Sequence, residues 1–144
     1  MKKHAVAALG LLLFIALQAF AQEHYTEGPV WQVTLIRVKP NHMDAYLTSL
    51  RQGTKPLFDE MKKEGLILDY KVFLNTTKHD PDDWDVSVAL QYKNFAALDG
   101  LTTKNEAIRD KILGSKQAAQ QLGEKRSEMR EIVTTMTLRE VTLK

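Results

Sequence analysis

The stretch VWQVTLIRVKPNHMDAY, Val30 to Tyr46, decides the fold. Its first nine residues are rich in β-branched and aromatic side chains, the composition of a half-buried strand. Pro40-Asn41 stops that strand. Asn41 then reads as a helix N-cap, with Asp44 three residues on as a capping-box-like partner. From there the period changes. Met43, Tyr46, Leu47, Leu50, Leu57 and Met61 recur at helical spacing. Gly53 and Pro56 interrupt the run. They predict either a kink or a restart with Thr54 as a new cap and Pro56 in the first turn. Gly65 closes the helix as a C′ glycine.

Working outward, Leu66–Leu74 reads as a second strand and Trp84–Tyr92 as a third, joined by the polar loop Asn75–Asp83. Asn94 is placed to cap a short helix through Leu101. A longer helical stretch runs from about Lys104 to Arg130, with Gly114-Ser115 as a bend. Ile132–Leu143 is the last strand. The order β-α-β-β-α-β is that of an α+β, ferredoxin-like split βαβ fold. It predicts a four-stranded antiparallel sheet with helices on one face and the other face uncovered. Residues 30–144 form that single domain.

Strand parity predicts which side chains lie uncovered. Trp84, Val86, Val88, Leu90 and Tyr92 share a face, as do Leu66, Leu68, Tyr70, Val72 and Leu74. A one-residue slip would turn every side chain over, so the two apolar rows must align and face the helices. The open face then receives Ile67, Asp69, Lys71 and Phe73 beside Ser87, Ala89 and Gln91. In the last strand the row Val133, Thr135, Thr137, Arg139, Val141 and Leu143 suits the open face better. Strand 30–38 leaves both of its rows open to either face. The resulting mixture of Phe73, Ile67, Val141 and Leu143 with Asp69, Lys71, Ser87, Gln91, Thr135 and Arg139 predicts a homodimer packed sheet to sheet.

Two stretches carry a known likeness. Val33 to Tyr46, strand then Lys39-Pro40-Asn41 then Asp44 and Tyr46, resembles the first strand and helix entry of antibiotic-biosynthesis-monooxygenase-like and NIPSNAP-like domains. Tyr92-Lys93-Asn94-Phe95-Ala96-Ala97-Leu98-Asp99 resembles their entry to the second helix. These domains belong to the dimeric α/β-barrel superfamily, and Asn41 stands where they usually carry Gly. The resemblance implies a dimer whose two sheets form a barrel, with small-molecule pockets between sheet and helices. It does not imply one activity. The superfamily holds cofactor-free oxygenases, isomerases, haem-degrading enzymes and domains without known chemistry.

Length and composition agree with one globular domain. The chain has 144 residues, 44% hydrophobic and 26% charged. It has no cysteine, which excludes disulfides, thiolate catalysis and thiolate metal sites. Residues 1–21 read as a cleaved secretory signal peptide. Lys2-Lys3 is the basic start, Ala5–Leu17 the apolar centre and Ala19-Phe20-Ala21 the small-residue cleavage site. That apolar run is shorter than the ~20 residues a membrane-spanning helix needs. The mature chain is expected to begin at Gln22, with residues 22–29 as a flexible lead. The product is expected in the periplasm or outside the cell, without stable membrane insertion. The 20 basic and 18 acidic residues become 18 of each once Lys2 and Lys3 are gone. That balance gives no basic excess for nucleic-acid binding.

No catalytic constellation converges. His24, His42 and His79 fall in the lead, a helix entry and a loop, so the iron-ligating helix histidine of the haem-degrading relatives is missing and no cofactor is expected. Asp80-Pro81-Asp82-Asp83 lacks calcium-loop spacing and reads as a turn, so no metal is expected. Asp69 stands mid-strand, where Asp is disfavoured. It is the one candidate general base, and an ion pair with Lys71 or Arg139 is its structural alternative. Ser87 has neither a neighbouring His nor a nucleophile elbow. Two classes stay open: an exported homodimer that binds a small organic ligand, or a cofactor-free oxygenase or isomerase.

Overall fold

The computed structural model describes residues 24–144, so the expected signal peptide of residues 1–21 lies outside the described residues. The elements are β1 (Tyr25–Val38), α1 (Met43–Ser49), a π-helical turn (Leu50–Thr54), α2 (Lys55–Lys63), β2 (Asp69–Leu74), β3 (Val86–Tyr92), a 3₁₀ turn (Phe95–Leu98), α3 (Leu101–Leu113), α4 (Lys116–Met129) and β4 (Arg130–Leu143). The sheet order is β2-β3-β1-β4. This is the ferredoxin-like α+β architecture, a four-stranded antiparallel sheet with helices. β1 and β2 both pair antiparallel to β3, with Val33 and Lys71 opposite Ala89 and Leu35 and Phe73 opposite Ser87.

Two compact units divide the chain. The larger, Pro29–Glu140, carries the core. In the smaller, residues 24–28 group with Val141–Lys144, and the Lys144 N–H donates to the His24 carbonyl at 3.0 Å. The expected flexible lead is thereby corrected. β1 begins at Tyr25, five residues before Val30, because the end of the last strand supplies hydrogen-bond partners that a local reading of polar residues overlooks.

The core has two parts. Val30, Met61, Ile67, Tyr92 and Ile108 form one, with Leu57, Phe58, Tyr70 and Leu90 against it. Ile36, Val38, Tyr46, Leu50 and Val86 form the other, with Met43, Leu47 and Val88. The even-numbered row of β1 therefore meets the helices, which resolves the parity that the sequence leaves open. Trp31, Val33, Leu35 and Arg37 take the open side.

Local chemistry sets the element ends. Asn41 is not the N-cap. It sits at φ 64° in a turn closed by the His42 N–H on the Lys39 carbonyl (3.1 Å), and His42 precedes α1 without a side-chain cap bond. Pro second and a left-handed residue third is the pattern of a type II turn, where Asn is the best substitute for Gly. Gly65 (φ 72°) ends α2 as expected, with Leu66 N–H on the Met61 carbonyl and Gly65 N–H on that of Lys62, a Schellman pair. Asn94 and Ser115 cap the 3₁₀ turn and α4, accepting from Ala97 N and Ala118 N. Between α1 and α2 the chain neither simply kinks nor starts again. It widens into one π turn, closed by the Lys55 N–H on the Leu50 carbonyl.

Ile67, Thr135, Thr137 and Arg139, expected on the open face, lie elsewhere. Ile67 precedes β2 rather than belonging to it, so strand parity does not apply, and it is buried in the core. Thr135 and Arg139 are turned over by an irregularity in β4. Glu131 meets Arg37 on the open side, while Ile132 and Thr135 both line one cavity on the helix side. Three residues apart, these two share a face only if the alternation breaks between them, as at a β-bulge. Beyond the bulge Thr135 meets Thr34, Glu140 meets Trp31 on the open side, and Arg139 stacks 4.7 Å from the Phe95 ring. Met136 and Leu138 share the parity of Glu140 and replace the expected row.

Candidate functional site

Asp69 is the first residue of β2, an edge strand, and it is half exposed. Lys62, near the end of α2, reaches around that edge to place its Nζ 2.8 Å from the carboxylate. That hydrogen bond, then the Tyr70 backbone N–H, holds the Asp69 carboxyl below the usual carboxylate range. A general base near neutral pH needs the opposite shift. The Asp69 partner is Lys62 rather than Lys71 or Arg139. Lys71 instead extends over the Trp31 ring at 5.9 Å. Register places Asp69, Lys71, Phe73, Ser87 and Gln91 on one side of the sheet. Ser87 is buried between Leu35 and Phe73, and Phe73 is 49% exposed. Arg139 does not join them.

The loop carboxylates are engaged in structure. Asp85 accepts from Val38 N–H and Lys78 Nζ, Asp80 from Asp82 N–H, and Asp83 from Asn75 and Trp84 N–H. Among the described residues no three His, Cys, Asp or Glu side chains gather as a metal site, and no helix is long and apolar enough to cross a membrane.

Two cavities lie between helices and sheet, and they share Leu50, Thr54 and Phe58 as a common wall. The first, about 340 Å³, is apolar within and lies between the α1–α2 run and β2, with Arg51, Lys55 and Lys71 in its lining. It exists because β2 is incompletely covered: Tyr70 packs against Phe58 at 5.2 Å between ring centroids, but Val72 and Leu74 are left exposed. The second, about 220 Å³, is lined by Thr34, Ile36 and Val88 from the sheet, Tyr46 and Thr54 from the helical run, and Arg126, Arg130 and Thr135 from α4 and β4.

The second cavity holds chemistry that a reading of the sequence misses. Arg126, in the last turn of α4, and Arg130, the first residue of β4, line the same cavity. Arg126 donates through Nε to Ser49 Oγ (2.8 Å) and through Nη2 to the Ser49 carbonyl (3.0 Å). Burial pushes its pKa down, and nearby Arg130 adds a weaker push in that direction. Arg130 lies 5.8 Å over the Tyr46 ring, and its buried Nε has no hydrogen-bond partner. Thr54 Oγ1 is likewise buried without a partner. Burial pushes the Tyr46 phenol up, so it stays protonated and can donate. Gly53 leaves the space: a Cβ there would meet Leu122 Cδ2 at 2.7 Å and Arg126 Nη2 at 3.1 Å. The signals for this site in the sequence were Gly53 next to a Thr inside a helix and the Arg-x-x-x-Arg spacing at its far wall.

No protein-family model matches this chain, and no curated protein matches its sequence. Solved structures match its fold. HapK from Hahella chejuensis superposes with a TM-score of 0.51 at 13% identity, over 77% of this chain and 91% of that one. A dimeric ferredoxin-like protein from an uncultured marine organism gives 0.50 at 15% identity, over 83% and 90%. A NIPSNAP family protein of unknown function from Agrobacterium tumefaciens str. C58 gives 0.47 at 12% identity, over 84% and 92%. At these identities the likeness is one of fold, and the fold is ferredoxin-like.

Proposed function

We propose that this chain is an exported homodimer that binds a small organic ligand between its helices and its sheet. One observation carries the reading. The 220 Å³ cavity is lined by Thr54 and Arg130, and each keeps a buried polar atom, Oγ1 and Nε, without a hydrogen-bond partner. Leaving such atoms unpaired costs about 1–3 kcal/mol each, a cost that an occupant bringing polar atoms to this cavity would offset. A carboxylate or imidazole able to take a proton from a substrate lines neither cavity. This favours binding over the oxygenase or isomerase alternative.

The second copy belongs on the open sheet face. Val33, Leu35, Phe73, Ala89 and Leu138 form an apolar field there, with Ser87 beneath it. Mass spectrometry of small molecules released from the natively exported protein tests the ligand, and a spectrum empty of any stoichiometric compound counts against it. Light scattering of Phe73→Glu tests the dimer. The substitution puts an unpaired charge into each half of the interface, so monomer is expected. A well-folded dimer of this variant would remove the open face from the proposal.

A further inference from the structure

We infer that the 220 Å³ cavity takes a small organic acid, its carboxylate held by Arg126 and Arg130 and its apolar body lying against Ile36, Phe58 and Val88. The inference rests on the small-ligand reading above and names the chemistry of that ligand.

Among the described residues, the ion pairs found use Arg37, Lys55, Lys62, Lys63, Lys78, Arg109 and Lys111. Arg126 and Arg130 are in none of them, although both are half-buried and line the same cavity. Two guanidinium groups brought together without an acid repel, and each has given up water to be there. The protein keeps both at the wall of a cavity. A carboxylate between them reverses the sign of that interaction and matches the planar fork of the guanidinium donors.

Hydrogen bonding narrows the ligand further. Arg126 commits Nε and one Nη2 bond to Ser49, which orients it and leaves donors on its outer edge. Arg130 is oriented by the Tyr46 ring and keeps its Nε unused. The Tyr46 phenol adds a neutral donor. The wall is thus rich in donors on one side, where an acceptor-only group fits. Ile36, Leu50, Phe58, Val88 and Ile132 supply the other side, where a ring or short hydrocarbon fits and a bare inorganic anion does not. A volume of about 220 Å³ lies below the range of roughly 300–1,000 Å³ for drug-sized ligands. The acid is therefore small, of the order of one ring and one carboxylate.

Titrating the mature protein with benzoate, benzamide and inorganic phosphate, followed by NMR of the Tyr46 ring and the arginine Nε–H groups, tests this. Benzoate is expected to shift both sets of signals and to bind at least tenfold tighter than either benzamide or phosphate. Arg130→Gln and Arg126→Met should each weaken benzoate at least tenfold while leaving benzamide unchanged. Arg130→Lys should recover part of the loss, which a merely structural role would not produce. Should Arg126→Met fail to fold, the Arg130 variants decide alone. Equal binding of benzoate and benzamide at these signals would overturn the acid and leave the small-ligand reading standing. Phosphate as tight as benzoate would overturn the organic body. Silence of the cavity signals to all three compounds would overturn the inference together with the reading beneath it.

Discussion

Asp69 and Arg126 carry opposite charges and opposite fates. Asp69 stands on the edge of the sheet, half in water, with Lys62 2.8 Å away. Arg126 lies inside, held to Ser49 by hydrogen bonds and facing a second arginine and no acid. Solvent screens the first pair, so it contributes little to folding. Arg126 is half-buried and screened less, so its surroundings matter more. In a small domain a half-buried charge without an acid is a better pointer to function than an exposed ion pair. A charge that has found its partner is finished, and a charge kept inside without one is waiting for something.

Tyr46 supports Arg130 from below and is almost wholly buried, so Tyr46→Ala should cost about 3–5 kcal/mol in urea unfolding. Tyr46→Phe keeps the ring and should cost far less. If the two variants were equally unstable, the ring would not be what supports the cavity. Arg126→Met relieves a buried charge but strands the oxygens of Ser49. The second effect should win, with about 1–3 kcal/mol lost. A more stable Arg126→Met would mean that the cost of the buried charge outweighs its bonds to Ser49, which sharpens the contrast. Gly53→Ala sets about 1–3 kcal/mol of crowding against about 1 kcal/mol of helix propensity. Because the atoms it meets are the tips of Leu122 and Arg126, the net loss should be about 1 kcal/mol or less.

Asp69→Asn should be the smallest change of all, with a melting temperature close to that of the parent at neutral pH. Its effect belongs to acid. The native carboxyl titrates below its unfolded value of about 3.9, so its contribution is complete above that value and disappears as pH falls through the native one. Asp59, held down by Lys55 and Tyr70, and Glu60, held down by Lys111 and Lys63, behave alike. Stability of the parent should therefore fall as pH drops below about 4, and Asp69→Asn should flatten part of that fall. An identical acid profile in the variant would break the assignment of Lys62 as its partner.

The fold is legible from local chemistry wherever that chemistry is local. The β2–β3 pairing follows from two aligned rows, and Gly65, Asn94 and Ser115 end or cap their helices as their side chains require. The site is less legible for three reasons. Alternation along β4 carries no mark of the bulge, so Arg139 and Thr135 are assigned to the wrong side. Arg126 falls among Glu124, Lys125 and Ser127 on a polar helix, and only the approach of Gly53 shows that this arginine turns inward. Asp69 attracts notice because an acid is rare inside a strand, but its place at an edge strand within reach of α2 removes the reason for surprise.

The π turn at Leu50–Thr54 has a consequence for chain length. A hydrogen bond that spans five residues uses one more residue than an α-helix needs for the same closure. The helical run is in effect carrying an insertion, and the surplus residue is stored as a widening rather than extruded as a loop. Each helical residue turns the chain by about 100°. Excising one residue here, Gln52 for instance, would let the run rewind as plain α-helix. It would also rotate either Tyr46 and Leu50 or Phe58 and Met61 away from the part of the core they now fill. Thr54 would lose the offset that places its hydroxyl at the wall shared by the two cavities. The length of this one segment therefore acts as an adjustment of aim: a single codon sets which way half of the cavity wall points.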